Sequence, residues 1–405
     1  MNNFDVLIIG TDINAYTMAR NYHELYGKKA NIIGKEEMKF TSCSSITNII
    51  YEPDLWDGDV FRETLKKYAE RQKKDKILLI GTNDFYVRLI VENKEYLEKW
   101  YVFNYPNLQI IDQFMKKNLF YETYKEQLDL PKTFIYSCKE KKLELDLQFP
   151  VVVKPGDGVS YYKHKFEGQN KVFRAADLSE LKQIIKKIED SGYKENLVIQ
   201  EFIPGGDAAL FDCMFYCNSK GKAEIATFAQ IGLQEHTPTG VGNCTVLVNG
   251  YSEYGIDETV IYKLKNFLET VGYTGWAEVD LKYDNRDQKY KVLEINTRQA
   301  RCSYYVTACG YNLVEALIDD LLLHKDKKFC FVTEKRVLSF VPKNILYKKV
   351  RSKPLLNQVK ELVKEKKFYS PLHYEGDTCF KRRVYLFLRG LNYRKKYKRE
   401  NWWML

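Results

Sequence analysis

Apolar and polar positions alternate in blocks from the start of the chain. "FDVLIIG" (4–10) is a continuous apolar run of strand length. "TDINAYTMARNYHELYG" behind it carries apolar residues at helical spacing, with Gly27 as its stop. "KANIIGK" reads as a second strand, and "DKILLIGTND" (75–84) repeats the unit: apolar strand, Gly81, then a helix beginning near Asp84. Strands alternating with helices predict a parallel sheet, so residues 1–112 are expected to form a small α/β domain. A site in such a sheet lies at the C-terminal ends of its strands, where Gly10, Asp12 and Asp84 fall. Gly10 alone falls short of a dinucleotide fingerprint.

Past residue 112 the pattern changes. Residues 113–135 predict a helix, a break at Pro131 and a short strand. "FPVVVKPGDG" (149–158) predicts a strand ending in Lys154 and then a glycine-bearing loop. "DLSELKQIIKKIEDSG" is an amphipathic helix with Asp177 as cap and Glu180 three residues on, and "NLVIQEFIPGGD" is a strand running into a turn. Strands follow at 211–217, 223–231 and 276–283, and then "KVLEINTRQAR" (291–301). The expected fold class is therefore α/β followed by α+β.

At 405 residues, two or three domains are expected, and 45% hydrophobic with 29% charged residues is a globular composition. "MNNFDVLIIG" has an acid where a secretory signal carries basic residues, and no apolar run reaches the length of a membrane span. Nine scattered cysteines, an odd number, suit reduced thiols in a cytosol, with Cys213 and Cys217 as core residues. The location expected is cytoplasmic.

Chemistry concentrates where two strands carry acids on one face. Glu294, Asn296 and Arg298 share a face by the period-two rule, with Leu293 and Ile295 on the other; in "WAEVDLKYD", Glu278 and Asp280 share a face likewise. Such faces are ordinarily solvated. Magnesium, however, takes hard oxygen ligands, usually carboxylates plus phosphate oxygens. Asp280, Glu294 and Asn296 could supply that set, with Arg298 holding a phosphate or a developing acyl phosphate. A strand-ending lysine, the strand-turn "QEFIPGGD" and paired acidic strands, in that order, are far more specific than any one alone.

In this ordered combination the sequence resembles the ATP-grasp superfamily of carboxylate–amine ligases, over roughly residues 1–325. The resemblance implies a Rossmann-like pre-ATP-grasp domain (1–112), an ATP-grasp N-terminal subdomain (113–197), an ATP-grasp C-terminal subdomain (198–325) and a basic, aromatic C-terminal extension (326–405). It implies that Lys154 in "VVVKP" and Lys117, favoured over Lys116 by the spacing of "KNLFY", contact phosphates. The loop "GDGVS" (156–160) would close over them with its backbone and the Ser160 hydroxyl. Glu201 and the backbone of Phe202 and Ile203 would read the adenine, and Asp207 would meet the ribose. ATP and magnesium, or manganese in its place, are the implied cofactors.

A closer resemblance lies in "LIIGTDINAYTMARNYHELYG", "LIGTNDFYVRLI" and "EINTRQARCSYYVTACGYNLVEALIDDLL", which look like the D-aspartate ligases of peptidoglycan bridge synthesis. Thr297 replaces the proline of the usual "EINPR" and points away from the metal face. The implied partners are an amino-acid carboxylate and an amine on a peptidoglycan precursor. Arg301, with "SYY" after it, is implied to contact the carboxylate substrate, so Arg298 and Arg301 form the expected catalytic set. "QEHTPTGVGNC" (234–244) is a polar loop placed to cover the acceptor; its His236 is left out of that set. A ligase acting on another metabolite or polymer, and an ATP-binding sensor without turnover, are the competing readings.

The net charge is +10, and "KRRVYLFLRGLNYRKKYKR" (381–399) holds nine of the lysines and arginines, with Trp402 and Trp403 beyond. Three readings stand: a peripheral contact with anionic membrane, nucleic-acid binding without a motif to accompany it, and a helix docked on the grasp domain with a solvated basic face. No nucleic-acid partner is expected.

Overall fold

The computed structural model describes residues 4–397 except Lys73, His236, Pro238 and Thr239. His236, Trp402 and Trp403 thus lie outside the described residues.

Five parallel strands open the chain: β1 (Phe4–Ile9), β2 (Ala30–Gly34), β3 (Thr47–Tyr51), β4 (Lys76–Gly81) and β5 (Tyr101–Val102), in spatial order β3-β2-β1-β4-β5. The central strand β1 is apolar on both faces because helices cover both. The first helix, Ile13–Tyr26, starts where Asp12 accepts the Ala15 N–H (3.0 Å) and stops where Gly27 takes φ 63°.

A second, antiparallel sheet contains β6 (Thr133–Ser137), β7 (Val151–Pro155), β8 (Phe173–Ala175) and β9 (Asn196–Glu201), ordered β6-β9-β7-β8. Strand β9 runs across the expected boundary at 197/198; its pairing with β6 and β7 assigns it wholly to this sheet. The helix expected after 112 is two helices, Leu108–Met115 and Lys117–Tyr124, broken at the extended backbone of Lys116.

The third sheet has nine strands: β10 (Leu210–Cys217), β11 (Ala223–Thr227), β12 (Ala229–Gln234), β13 (Cys244–Asn249), β14 (Gly275–Asp284), β15 (Lys289–Asn296), β16 (Cys330–Val332), β17 (Arg336–Ser339) and β18 (Phe368–Tyr369). The single strand expected over 223–231 is split at Phe228, so that β11 pairs with one end of β10 and β12 with the other. Strands β16, β17 and β18 come from the segment expected as a separate extension, yet all three pair into this sheet. These three strands therefore belong to the third sheet. Cys213 and Cys217 are buried in β10, as expected of core residues.

The C-terminal helix, Phe380–Lys396, docks across the first domain. Arg382 is 2% exposed, its guanidinium 3.5 Å from the Tyr16 ring centre. Its Nε lies 3.1 Å from Asp377, and it donates to the Phe40 and Leu372 carbonyls. Asp377 in turn accepts from Ser44, Ser45 and Tyr16. The helix is docked, but Arg382, counted as part of a solvated basic face, is the buried anchor that docks it.

Candidate active site

Strand pairing brings the acids together. β14 lies between β10 and β15, and the register sets Asp212 and Glu294 on either side of Asp280, with Glu278 opposite Asn296. Neighbouring strands are about 5 Å apart, so carboxylates from three strands form one row. The pattern in β15 is not plain alternation. Asp280 faces Glu294 but Leu281 faces Val292, leaving Leu293 as an unpaired bulge residue. Val292 and Ile295 are buried while Leu293 is half-buried, so only Ile295 takes the inward place expected of both. The bulge frees the Leu293 carbonyl to accept from the Tyr121 hydroxyl. Thr297 is fully buried.

Burial and the crowding of like charge raise Glu278 and Asp280 well above the usual carboxylate range: Asp212 acts on Glu278, and Glu278 and Glu294 act on Asp280. Asp212 is pushed up to about 6 by burial and by Asp280. Glu294 is the exception. Burial would raise it too, but the charges of Lys117 and Lys171 prevail and hold it low. Lys117, at the start of its helix, forms an ion pair with Glu294.

Lys154 ends β7 and donates to Gln200 Oε1 at 3.0 Å. Burial, with Lys117 nearby, lowers it to about 8. Arg298 sits at the junction with the first domain. Its Nε is 3.0 Å from Asp84 Oδ1, and its Nη1 is 3.3 Å from Glu278 Oε2. The strand-end corner of the parallel sheet, where Asp12 and Asp84 lie, is thus part of this site's wall. Gln299 reinforces the junction by donating to the Gly81 carbonyl at 3.0 Å.

Around the expected nucleotide hinge, the Phe202 N–H is committed to the Pro150 carbonyl (2.9 Å) and the Glu201 N–H to that of Lys132 (3.1 Å). Of the Phe202 backbone expected to read a base, the N–H is thus already used at the β9–β7 edge. The Phe202 ring lies between Arg174 and Lys282, 5.2 and 5.0 Å from its centre. Glu201's carboxylate accepts from the Gln148 N–H, and Ile203 is buried. Asp207 accepts from the Gln234 backbone (3.1 Å) and side-chain amide (2.8 Å). Ser160 is not in a loop: residues Gly158–Lys163 are helical, because Asp157 caps them by accepting the Ser160 N–H.

Arg301 reaches a neighbouring corner, with its Nη2 3.0 Å from Glu235 Oε1. Sequence reasoning missed Asp212, Lys171, Glu235 and Lys396. Asp212 had a readable signal, a lone acid inside the apolar run "LFDCMFYC". The other three are ordinary surface residue types, and only the fold brings them here.

The oxygen set fits a divalent cation. Four carboxylates share the row, and among the described residues Lys117 forms the ion pair to Glu294 alone. Cys302 stays a thiol, donating to Asp212 at 3.2 Å, so the donors are hard oxygens, as magnesium requires.

No protein-family model matches the sequence. The D-aspartate ligase of Enterococcus faecium (strain Aus0004) is 31% identical, spanning 98% of this chain and 96% of that protein. The chain belongs to the D-aspartate ligase family. It is an ATP-dependent carboxylate–amine ligase with the ATP-grasp fold. The L-amino acid ligase of Bacillus licheniformis shares that fold at a TM-score of 0.58 and 16% identity, covering 80% of this chain and 75% of its own. So does the biotin carboxylase domain of the Hydrogenobacter thermophilus 2-oxoglutarate carboxylase, solved with MgADP, at 0.59 and 16%, covering 81% and 70%. Among the described residues no helix of the ligase is long and apolar enough to cross a membrane.

Proposed function

We propose that this ligase activates the carboxylate of D-aspartate with ATP and joins it to an amine of a peptidoglycan precursor. The observation that carries the chemistry is the row Asp212–Asp280–Glu294, answered by Lys117 at the start of its helix and by Lys154 from β7. The substrate is taken from the E. faecium relative.

Lys154 and Lys117 bind phosphate oxygens of ATP. Glu201 and the backbone of Ile203 hold the adenine, Asp207 the ribose, and Ser160 lies on the helix facing the phosphates. Asp280, Glu294 and Asn296 would hold magnesium, which when bound neutralises triphosphate charge. The substrate carboxylate attacks the γ-phosphorus, giving an acyl phosphate and ADP. The amine then attacks the acyl carbon, and phosphate leaves from the tetrahedral intermediate. Arg298, clamped by Asp84 and Glu278, is preorganised beside these phosphates to stabilise the developing negative charge. This route requires no nucleophilic side chain of the protein.

The test is ADP release with magnesium, a panel of amino acids, and amine acceptors including lysine-containing stem peptides. Release that requires D-aspartate and a stem-peptide amine is expected; release independent of any amino acid overturns the proposal. Glu294→Gln should lower turnover about 100-fold or more while leaving the fold intact. A ligase for a different amine would keep the amino-acid dependence and prefer another acceptor.

A membrane contact has its own support. Phe380, Val384, Phe387, Leu388 and Leu391 of the C-terminal helix are exposed, Phe380 by 75% and Phe387 by 67%, and Lys381, Arg383, Arg394 and Lys395 flank them. An apolar stripe edged with cations fits an anionic lipid surface. Sedimentation with phosphatidylglycerol vesicles should fall when Phe387 and Leu388 are both changed to serine. Equal sedimentation of the two proteins would count against the contact.

A further inference from the structure

Three charged side chains from three separate elements meet beside the acid row, and the chemistry assigned so far uses only one of them. Glu235 follows β12, Arg301 follows β15, and Lys396 ends the C-terminal helix. One carboxylate oxygen of Glu235 is 3.0 Å from Arg301 Nη2, and the other is 3.4 Å from Lys396 Nζ. Glu235 is 7% exposed. Its N–H bonds to the Asn243 carbonyl, so the turn between β12 and β13 closes around it. Tyr397 fixes the helix end to the same place, donating to the Gln234 carbonyl at 2.8 Å.

This corner adjoins the reacting centre. Lys171, whose charge acts on Glu294 and Asp280, donates to the Val241 carbonyl of the same turn at 3.4 Å. Cys302, next to Arg301, bonds to Asp212 at the end of the acid row.

The trio is not charge-balanced. Two cations share one anion, and the buried Arg301 Nε has no hydrogen-bond partner among the described residues. An unsatisfied buried donor beside surplus positive charge is costly unless a ligand completes it. An amino acid with two carboxylates presents what is missing. One carboxylate goes to the acid row and ATP, which leaves the second carboxylate and the ammonium to be recognised.

We propose that Glu235, Arg301 and Lys396 form the pocket for the non-reacting groups of the amino-acid substrate: Arg301 and Lys396 take its free carboxylate, and Glu235 takes its ammonium. The C-terminal helix is then a specificity element of the active site. The proposal rests on the ligase reading above and deepens it.

The test is calorimetric binding to the full-length protein with magnesium and a non-hydrolysable ATP analogue. The probes are D-aspartate, succinate (no ammonium), and β-alanine and D-alanine, each lacking one carboxylate. Wild type should prefer D-aspartate to all three. Glu235→Gln should shrink the preference over succinate about tenfold, because the lost group is the partner of the ammonium. Lys396→Met should shrink the preference over whichever alanine keeps the reacting carboxylate, by about three- to tenfold, and Lys396→Arg should restore it. ATP-analogue affinity should stay within about twofold. A merely structural role would weaken D-aspartate and the probes equally, and unchanged ratios in both variants overturn the proposal. Lys396 is about one-third exposed, so its variant tests the idea even if Glu235→Gln fails to fold. Because this readout is binding, it is separable from the ligase reading: ADP release that needs D-aspartate with unchanged binding ratios sinks the pocket alone.

Discussion

Replacing Asp280 with asparagine should stabilise the nucleotide-free protein while disabling it. Asp280 faces Glu294 across one strand pair and Asp212 across the other, with Glu278 two residues along the same face. Two carboxylates about 5 Å apart at an effective dielectric of about 20 repel by roughly 3 kcal/mol. Lys117 answers part of that charge through Glu294, so the net relief on removing Asp280's charge is about 1–3 kcal/mol. Asparagine keeps the shape, and no cavity opens. In a cooperative unit of roughly 150–250 residues each kcal/mol moves Tm by about 2–4 °C. Wild type should gain about 2.7 kcal/mol from MgATP at a hundred times its dissociation constant, and the variant should lose most of that gain with its cation. The pH dependence follows. The folded-state pKa of Asp280 is raised, so its contribution is intact below the unfolded-state pKa and is lost as pH rises through the folded value. The variant should flatten that decline. Thermal unfolding with and without MgATP, alongside ADP release, measures all three effects. A variant that melts below wild type without nucleotide yet keeps its MgATP shift would falsify the reasoning.

Two further outcomes are expected. Lys154 is lowered to about 8 by burial and by Lys117, so its charge, and with it nucleotide affinity, should fall as pH rises through 8. Lys154→Arg should remove that dependence, and titrations of ADP between pH 7 and about 9.5 decide the point; a flat wild-type profile refutes it. Unfolding takes up a proton at Lys154 between its folded and unfolded values, so this group makes the apo fold more stable as pH rises through that window. Arg382→Leu removes a buried cation that holds Asp377 and two carbonyls, and should cost about 3–5 kcal/mol. Denaturant unfolding checks it, and a cost under about 1 kcal/mol would show that the helix docks by its apolar contacts.

Period and order along the chain were enough for the two-part architecture, because strands buried on both faces and capped amphipathic helices leave strong local signatures. "FDVLIIG" and "DKILLIG" became neighbours β1 and β4, and Asp177 caps its helix as its spacing implied. The shared face of Glu294 and Asn296, that of Glu278 and Asp280, and the place of Lys154 near a strand end were legible for the same reason, local alternation and strand length, whereas Lys117 was implied by the family resemblance alone. Register was not legible. Only pairing across β10, β14 and β15 aligned Asp212 with Asp280 and Glu294, and only the bulge at Leu293 allowed Glu294 to face Asp280 while Val292 stayed in the core. Long-range docking was hidden as well, since a buried Arg382 and a solvated arginine look identical in a basic run. The sequence by itself thus determined which elements form and which polar residues share a strand face, because those depend on neighbours a few residues away. The tertiary structure alone decided how Arg298 meets Asp84 and how Glu235, Arg301 and Lys396 meet, because those contacts join residues tens to hundreds of positions apart.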